Sequence, residues 1–159
     1  MELFLAYPFP ESFLQIILAM ALGSVLGIER YFVGKVAGMR TYGLVSMGAC
    51  LFVIISVQVG VMIPAASFTP MQVMAGIITG IGFLGAGLNI FKDSKVTGLT
   101  TAAGLWVAAG IGIAVGYGMY AIAIFTTLLT LFNFTVLWKI ETKLKEIADK
   151  NNPPNIAGQ

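Results

Sequence analysis

Apolar positions in this chain come in long unbroken blocks, with the polar residues gathered between them. The first block covers 12–28; Pro8 and Pro10 disfavour helix before Glu11, and Ser12 is placed to cap the helix at its start. Further blocks cover 41–63, 70–91, 99–116 and 119–138, each about long enough for a helix to cross a bilayer core of about 30 Å. Pro70 suits a first helical turn, where its missing N–H would have no partner anyway. Gly116-Tyr-Gly118 divides the last forty apolar residues, too many for one span, into two. The pattern therefore predicts an all-α polytopic membrane protein: a compact bundle of five transmembrane helices over 1–138, followed by a basic tail over 139–159. Ile140, Leu144 and Ile147 share one face of that tail, which can continue as an amphipathic helix until Asn-Asn-Pro-Pro stops it.

The positions of the cations orient this arrangement. With five spans, all nine Lys and Arg fall on one side: Arg30, Lys35 and Arg40 in the first loop, Lys92 and Lys95 in the third, and Lys139, Lys143, Lys145 and Lys150 in the tail. The positive-inside rule then places the N-terminus outside and the C-terminus in the cytoplasm. Glu2 and Glu11, where a cleavable signal would carry positive charge, indicate that the first block is retained as a span.

Small residues recur at the four-residue spacing that lets membrane helices approach backbone to backbone. Ala19, Gly23 and Gly27 do so in the first block, and Gly104, Ala108, Gly112 and Gly116 in the fourth. The densest stretch is Thr79-Gly-Ile-Gly-Phe-Leu-Gly-Ala-Gly87. There Gly76, Gly80 and Gly87 share a face while Gly85 looks the other way, and with Gly82 they predict a central helix contacted on more than one side. Gly80-x-Gly82-x-x-Gly85 also spells a dinucleotide-binding fingerprint, which needs a preceding short strand, an amphipathic helix and an acid about 20 residues on. A long apolar block precedes these glycines and another comes after Asp93, so the packing reading stands.

Composition agrees with the pattern: 58% of residues are hydrophobic, 10% are charged and mean hydropathy is +0.92. A net charge of +2 gives no reason to expect a nucleic-acid partner; the lipid bilayer is the expected one. Cys50 stands alone in an apolar block and reads as a buried small residue. Histidine is absent, and with it the commonest metal ligand and proton shuttle, so neither a metal centre nor a cofactor is expected. No set of residues suggests hydrolytic or general acid-base catalysis, and the chain reads as a non-enzyme.

Ionisable groups near membrane depth invite a functional reading. Glu29, Arg30, Arg40 and Asp93 all fall at predicted cytoplasmic ends, where pairing of Glu29 with Arg30 or Arg40 would pin the first loop to the interface. Asn89, Thr100 and Thr101 flank a short hairpin, so with Glu29, Arg30, Arg40 and Thr41 they form the candidate functional polar cluster.

Four ordered blocks give the chain a family likeness. Gly27-Ile-Glu-Arg30, Ala37-Gly-Met-Arg-Thr41 with Leu44-Val-Ser-Met-Gly48, the glycine stretch Thr79 to Gly87, and Val96-Thr-Gly-Leu-Thr-Thr-Ala-Ala103 with Leu105-Trp-Val-Ala-Ala109 resemble the MgtC/SapB family. The resemblance implies a five-span protein of the bacterial inner membrane, linked to magnesium limitation and to survival inside host phagocytes. It implies a regulatory action on another membrane complex such as the proton-driven ATP synthase, with magnesium transport as the alternative. Thr69-Pro70 and Gln72 depart from an expected Asp-Pro and following Arg, and the soluble C-terminal domain of many members is expected to be missing. Glycine faces left over in so small a bundle also predict self-association.

Overall fold

A computed structural model describes residues 9–63, 69–88, 90–92 and 95–151. Five helices in it have the length and composition to cross a membrane. They are α1 (Phe9–Phe32), α2 (Met39–Met62), α3 (Pro70–Leu88), α4 (Leu99–Gly116) and a final helix built from α5 (Tyr120–Phe132), a π-helical turn (Asn133–Leu137) and α6 (Trp138–Asn151). Between α3 and α4 lies an antiparallel ribbon of β1 (Ile90–Lys92) and β2 (Lys95–Thr97), with Phe91 opposite Val96. This hairpin occupies the predicted charged loop and ends α3 at Leu88, before the apolar Ile90 and Phe91.

Helix α1 is longer than its apolar block at both ends. Pro10 is accommodated in the first turn, and Glu29 and Arg30 lie inside the last turn instead of in the first loop. Gly34 and Gly118 adopt left-handed φ values of 68° and 74°, reversing the chain after α1 and between α4 and α5. The second break, which sequence places at Gly116-Tyr-Gly118, is thus a backbone turn that few other residues would accept.

The central helix is α4, where the glycine pattern predicts α3. It buries nine residues, among them Gly104, Leu105, Ala108, Ile111, Gly112 and Val115, and packs against α1, α2, α3 and α5. Its four-residue stripe of small side chains lets α2 come close: a Cβ on Gly116 would lie 2.8 Å from Val53, one on Gly112 would run into the Ser46 carbonyl, and one on Gly104 into the Tyr42 hydroxyl. A methyl on Gly23 of α1 would meet the Tyr42 carbonyl at 2.6 Å, and one on Gly27 the Gly38 carbonyl at 2.7 Å. These contacts make α1 antiparallel to α2 and α4 parallel to it.

Helix α3 packs on α4 but buries little of itself. Only Gly85 is buried, 3.5 Å from Ala102 measured from an added Cβ, while Gly76, Gly80, Gly82 and Gly87 meet nothing within 4 Å. In α4 the stripe Gly104, Ala108, Gly112 and Gly116 is buried beside the bulky Leu105, Ile111 and Val115, whereas the face shared by Gly76, Gly80 and Gly87 of α3 meets no neighbour. The beginning of α3 is closed by its own residues: the Thr69 N–H donates to Gln72 Oε1 at 3.0 Å, and the Gln72 N–H to the Thr69 carbonyl at 2.9 Å. The two positions that depart from the family pattern thus serve here as a helix cap.

Candidate functional site: a buried arginine and an open groove

The α1 seam that faces the bundle carries Ser12, Gln15, Ala19, Leu26 and Arg30, all buried. At its lower end the Arg30 side chain is only 2% exposed. Three contacts replace the water that its guanidinium gives up. Its Nε pairs with the Glu29 carboxylate, Nη2 donates to the Phe134 carbonyl at 3.3 Å, and the guanidinium lies 3.7 Å from the centroid of the Phe134 ring. A desolvated cation over an aromatic face contributes about 2 kcal/mol or more. Phe134 belongs to the π-helical turn, where the backbone ladder departs from its α spacing and a carbonyl can serve an outside donor.

Phe134 also touches the centre of the bundle. Its ring and the Tyr42 hydroxyl both crowd the place where Gly104 would carry a side chain, and that hydroxyl donates to the Thr101 carbonyl at 3.2 Å. A continuous path of contacts therefore links α1, the π-turn, α4 and α2 through Arg30, Phe134, Gly104, Tyr42 and Thr101.

Of the residues predicted to form the polar cluster, this path brings together Glu29, Arg30 and Thr101. Arg40, Thr41 and Thr100 are exposed and take no part in it. Asn89 lies outside the described residues, as does Asp93. Sequence reasoning misses Tyr42 and Phe134. Tyr42 is one residue from Thr41 of the predicted cluster, and a step of about 100° around a helix moves a side chain from the lipid face to the core. Phe134 contributes a ring and a carbonyl that look like any other apolar span residue; the nearest signal is Asn133 within that block.

Elsewhere in the interior, Ser12 Oγ, both polar atoms of Gln15, and Ser46 Oγ have no hydrogen-bond partner among the described residues. The remaining hydroxyls mostly bond back to their own helices, Thr79 to Ala75 and Thr127 to Ala123 at 2.8 Å each. Among the described residues no group of three or more Asp, Glu, Cys or His is placed to hold a metal ion. Cys50 is a buried free thiol.

On the other side of α2 the packing opens. A cavity of about 750 Å³ separates α2 from α3, bordered by Leu44, Gly48, Phe52, Val59, Ile77 and Gly80 among others. Its lining is apolar apart from Ser56, whose hydroxyl is occupied by the Val53 carbonyl at 2.7 Å.

Fold and site together define a multi-pass helical membrane protein, with a buried cation tying the last span to the first and a loosely attached third span. The chain belongs to the MgtC family, whose model matches residues 16–143. Among curated proteins it is 36% identical over 138 residues to the putative magnesium transporter YhiD of Escherichia coli K12, covering 84% of this chain and 64% of that protein. It is 40% identical over 138 residues to SrpB of Synechococcus elongatus, covering 79% of this chain and 76% of the relative. To MgtC of Brucella abortus it is 46% identical over 86 residues, 54% of this chain and 34% of the relative. The chain thus spans less than two thirds of the length of YhiD and about a third of that MgtC. No solved structure matches it.

Proposed function

We propose that this protein is a small, non-enzymatic regulator of the bacterial inner membrane, acting by packing α3 against a helix of another membrane complex. The supporting observation is the contrast between the two glycine sets. Gly23 and Gly27 of α1 and Gly104, Gly112 and Gly116 of α4 are consumed inside the bundle, whereas Gly76, Gly80, Gly82 and Gly87 of α3 meet no neighbour. In lipid, association of helices is driven by close packing at small residues, so an unoccupied glycine face on a spanning helix is suited to a partner helix. Magnesium limitation is the setting that family membership suggests, and the ATP synthase is the partner to try first. In this reading the N-terminus is outside and α6, with its lysines, is cytoplasmic.

Mild-detergent purification of the tagged chain tests it. Enrichment of ATP synthase subunits or another membrane complex, lost in Gly87→Leu while the variant stays folded, is expected. Recovery of the chain alone, under conditions that preserve known complexes, overturns it.

A second reading, a magnesium transporter or channel subunit, draws on the name of the YhiD relative and on the unpartnered polar atoms of Ser12, Gln15 and Ser46 inside the bundle. Proteoliposomes loaded with a magnesium-sensitive dye decide it: this reading requires protein-dependent flux, and its absence removes it.

A further inference from the structure

We propose that the cleft between α2 and α3 is a phospholipid site, holding one acyl chain along the groove and the lipid phosphate at Arg40 and Thr41. The inference shares Gly76 and Gly80 with the regulatory reading: a lipid in the cleft covers these two and leaves Gly82 and Gly87, which do not border it, to a partner helix.

Three observations select this occupant. The first is size. From Leu44 to Val59 the groove follows about 22 Å of helix, and its volume is about 750 Å³, a long and narrow space. A polymethylene chain is about 4–5 Å wide, given carbon contacts of about 3.5–4.0 Å, and suits it.

The second observation is chemistry. Both walls belong to spanning helices, and among the described residues that line them one hydroxyl is present, that of Ser56, which already has its acceptor. Nothing in the groove asks for a polar ligand, and a hydrocarbon chain leaves no buried group unpaired. Gly48, Gly76 and Gly80 keep the slot open, since none has a neighbour within 4 Å of an added Cβ.

The third is charge at one end. Thr41 lies on the groove face of α2, one turn before Leu44 and Val45, and Arg40 lies beside it. Both are exposed, and among the described residues Arg40 has no ion-pair partner, in contrast to the sealed Arg30. An exposed guanidinium with five donors, at the end of a spanning helix and a turn below an apolar slot, matches a phosphodiester attached through glycerol to an acyl chain. This gives Arg40 and Thr41, which the buried cluster leaves out, a joint role.

Photolabelling tests the assignment. The full chain is reconstituted into phosphatidylethanolamine vesicles containing phosphatidylglycerol with a diazirine on one acyl chain, illuminated, and the adducts are mapped by peptide mass spectrometry. Adducts are expected to concentrate on Phe52, Ile77 and their neighbours over the lipid-facing Phe13, Ile17, Phe125 and Leu128. Arg40→Gln, a surface change that leaves the fold intact, should lower groove labelling about fivefold, the weight of one basic residue near an anionic surface. A diacylglycerol probe, which lacks the phosphate, should be indifferent to that change. Gly48→Leu with Gly80→Leu should bring groove labelling down to that of the outer faces. Even labelling of all lipid-facing helices overturns the site, as does equal labelling of wild type and Arg40→Gln by the phospholipid probe. A groove protected from the probe, with Gly80→Cys cross-linking between two copies, would assign the slot to a second molecule of this chain and likewise refute the proposal.

Discussion

The Arg30 guanidinium stacks on the Phe134 ring, 3.7 Å from its centroid, and donates to the same residue's carbonyl. One residue of the π-turn thus receives a cation through its ring and a hydrogen bond through its backbone. The last span is held to the first at the level where it becomes α6.

Removing the cation should therefore cost more than removing the ring. Arg30→Ala leaves Glu29 without its partner and loses both Phe134 contacts, an expected destabilisation of about 2–4 kcal/mol. Phe134→Leu keeps the carbonyl acceptor and should cost about half as much or less. Unfolding in mixed micelles, followed by circular dichroism, gives the order; Phe134→Leu proving the worse of the two would show that ring packing, not the guanidinium, holds this end together.

Glycine-to-alanine changes should separate α4 from α3. A methyl on Gly112 runs into the Ser46 carbonyl and Ala49, so Gly112→Ala is expected to destabilise by about 1–3 kcal/mol. Gly82→Ala adds a methyl in open space and removes a flexible residue from a helix interior, so stability should hold or rise by up to about 1 kcal/mol. The same unfolding assay reads both, and equal losses would mean that α3 is as tightly enclosed as α4.

Tyr42→Phe removes only the hydroxyl that donates to Thr101. Interhelical hydrogen bonds within membranes average about 0.6 kcal/mol, and the expected loss is of that order. A loss several times larger, in the same measurement, would indicate that the bond also positions Phe134 against Gly104.

Topology is testable with cysteines, because the native thiol of Cys50 is buried. In a Cys50→Ala background, Lys143→Cys should react with an impermeant maleimide only after the cells are opened, and Thr69→Cys in intact spheroplasts. The reverse pattern would invert the assignment of the basic ends to the cytoplasm.

The number of spans is legible in the sequence because the solvent imposes it. In lipid a backbone must satisfy its own hydrogen bonds, so apolar blocks of sufficient length become helices whatever their neighbours. The break at Gly118 and the close approaches at Gly23, Gly27, Gly104 and Gly112 are readable for similarly local reasons: a left-handed φ, and an absent side chain at a regular spacing. The pairing of Glu29 with Arg30 is legible as well, being a contact between adjacent residues.

Sequence does not convey which partner each face meets. The stretch from Thr79 to Gly87 has the most glycine and is expected at the centre, yet α4 is there, because interlocking needs bulky residues alongside the small ones and a neighbour shaped to receive them. Nor does any local pattern tell Arg30 from Arg40. Both stand near the first loop, but one is sealed against a residue 104 positions away and the other faces outward. Hydropathy and glycine spacing are properties of single helices and were enough to determine the five spans. The buried cation, its ring and the open groove arise from how separate helices meet, and only the tertiary structure decided them.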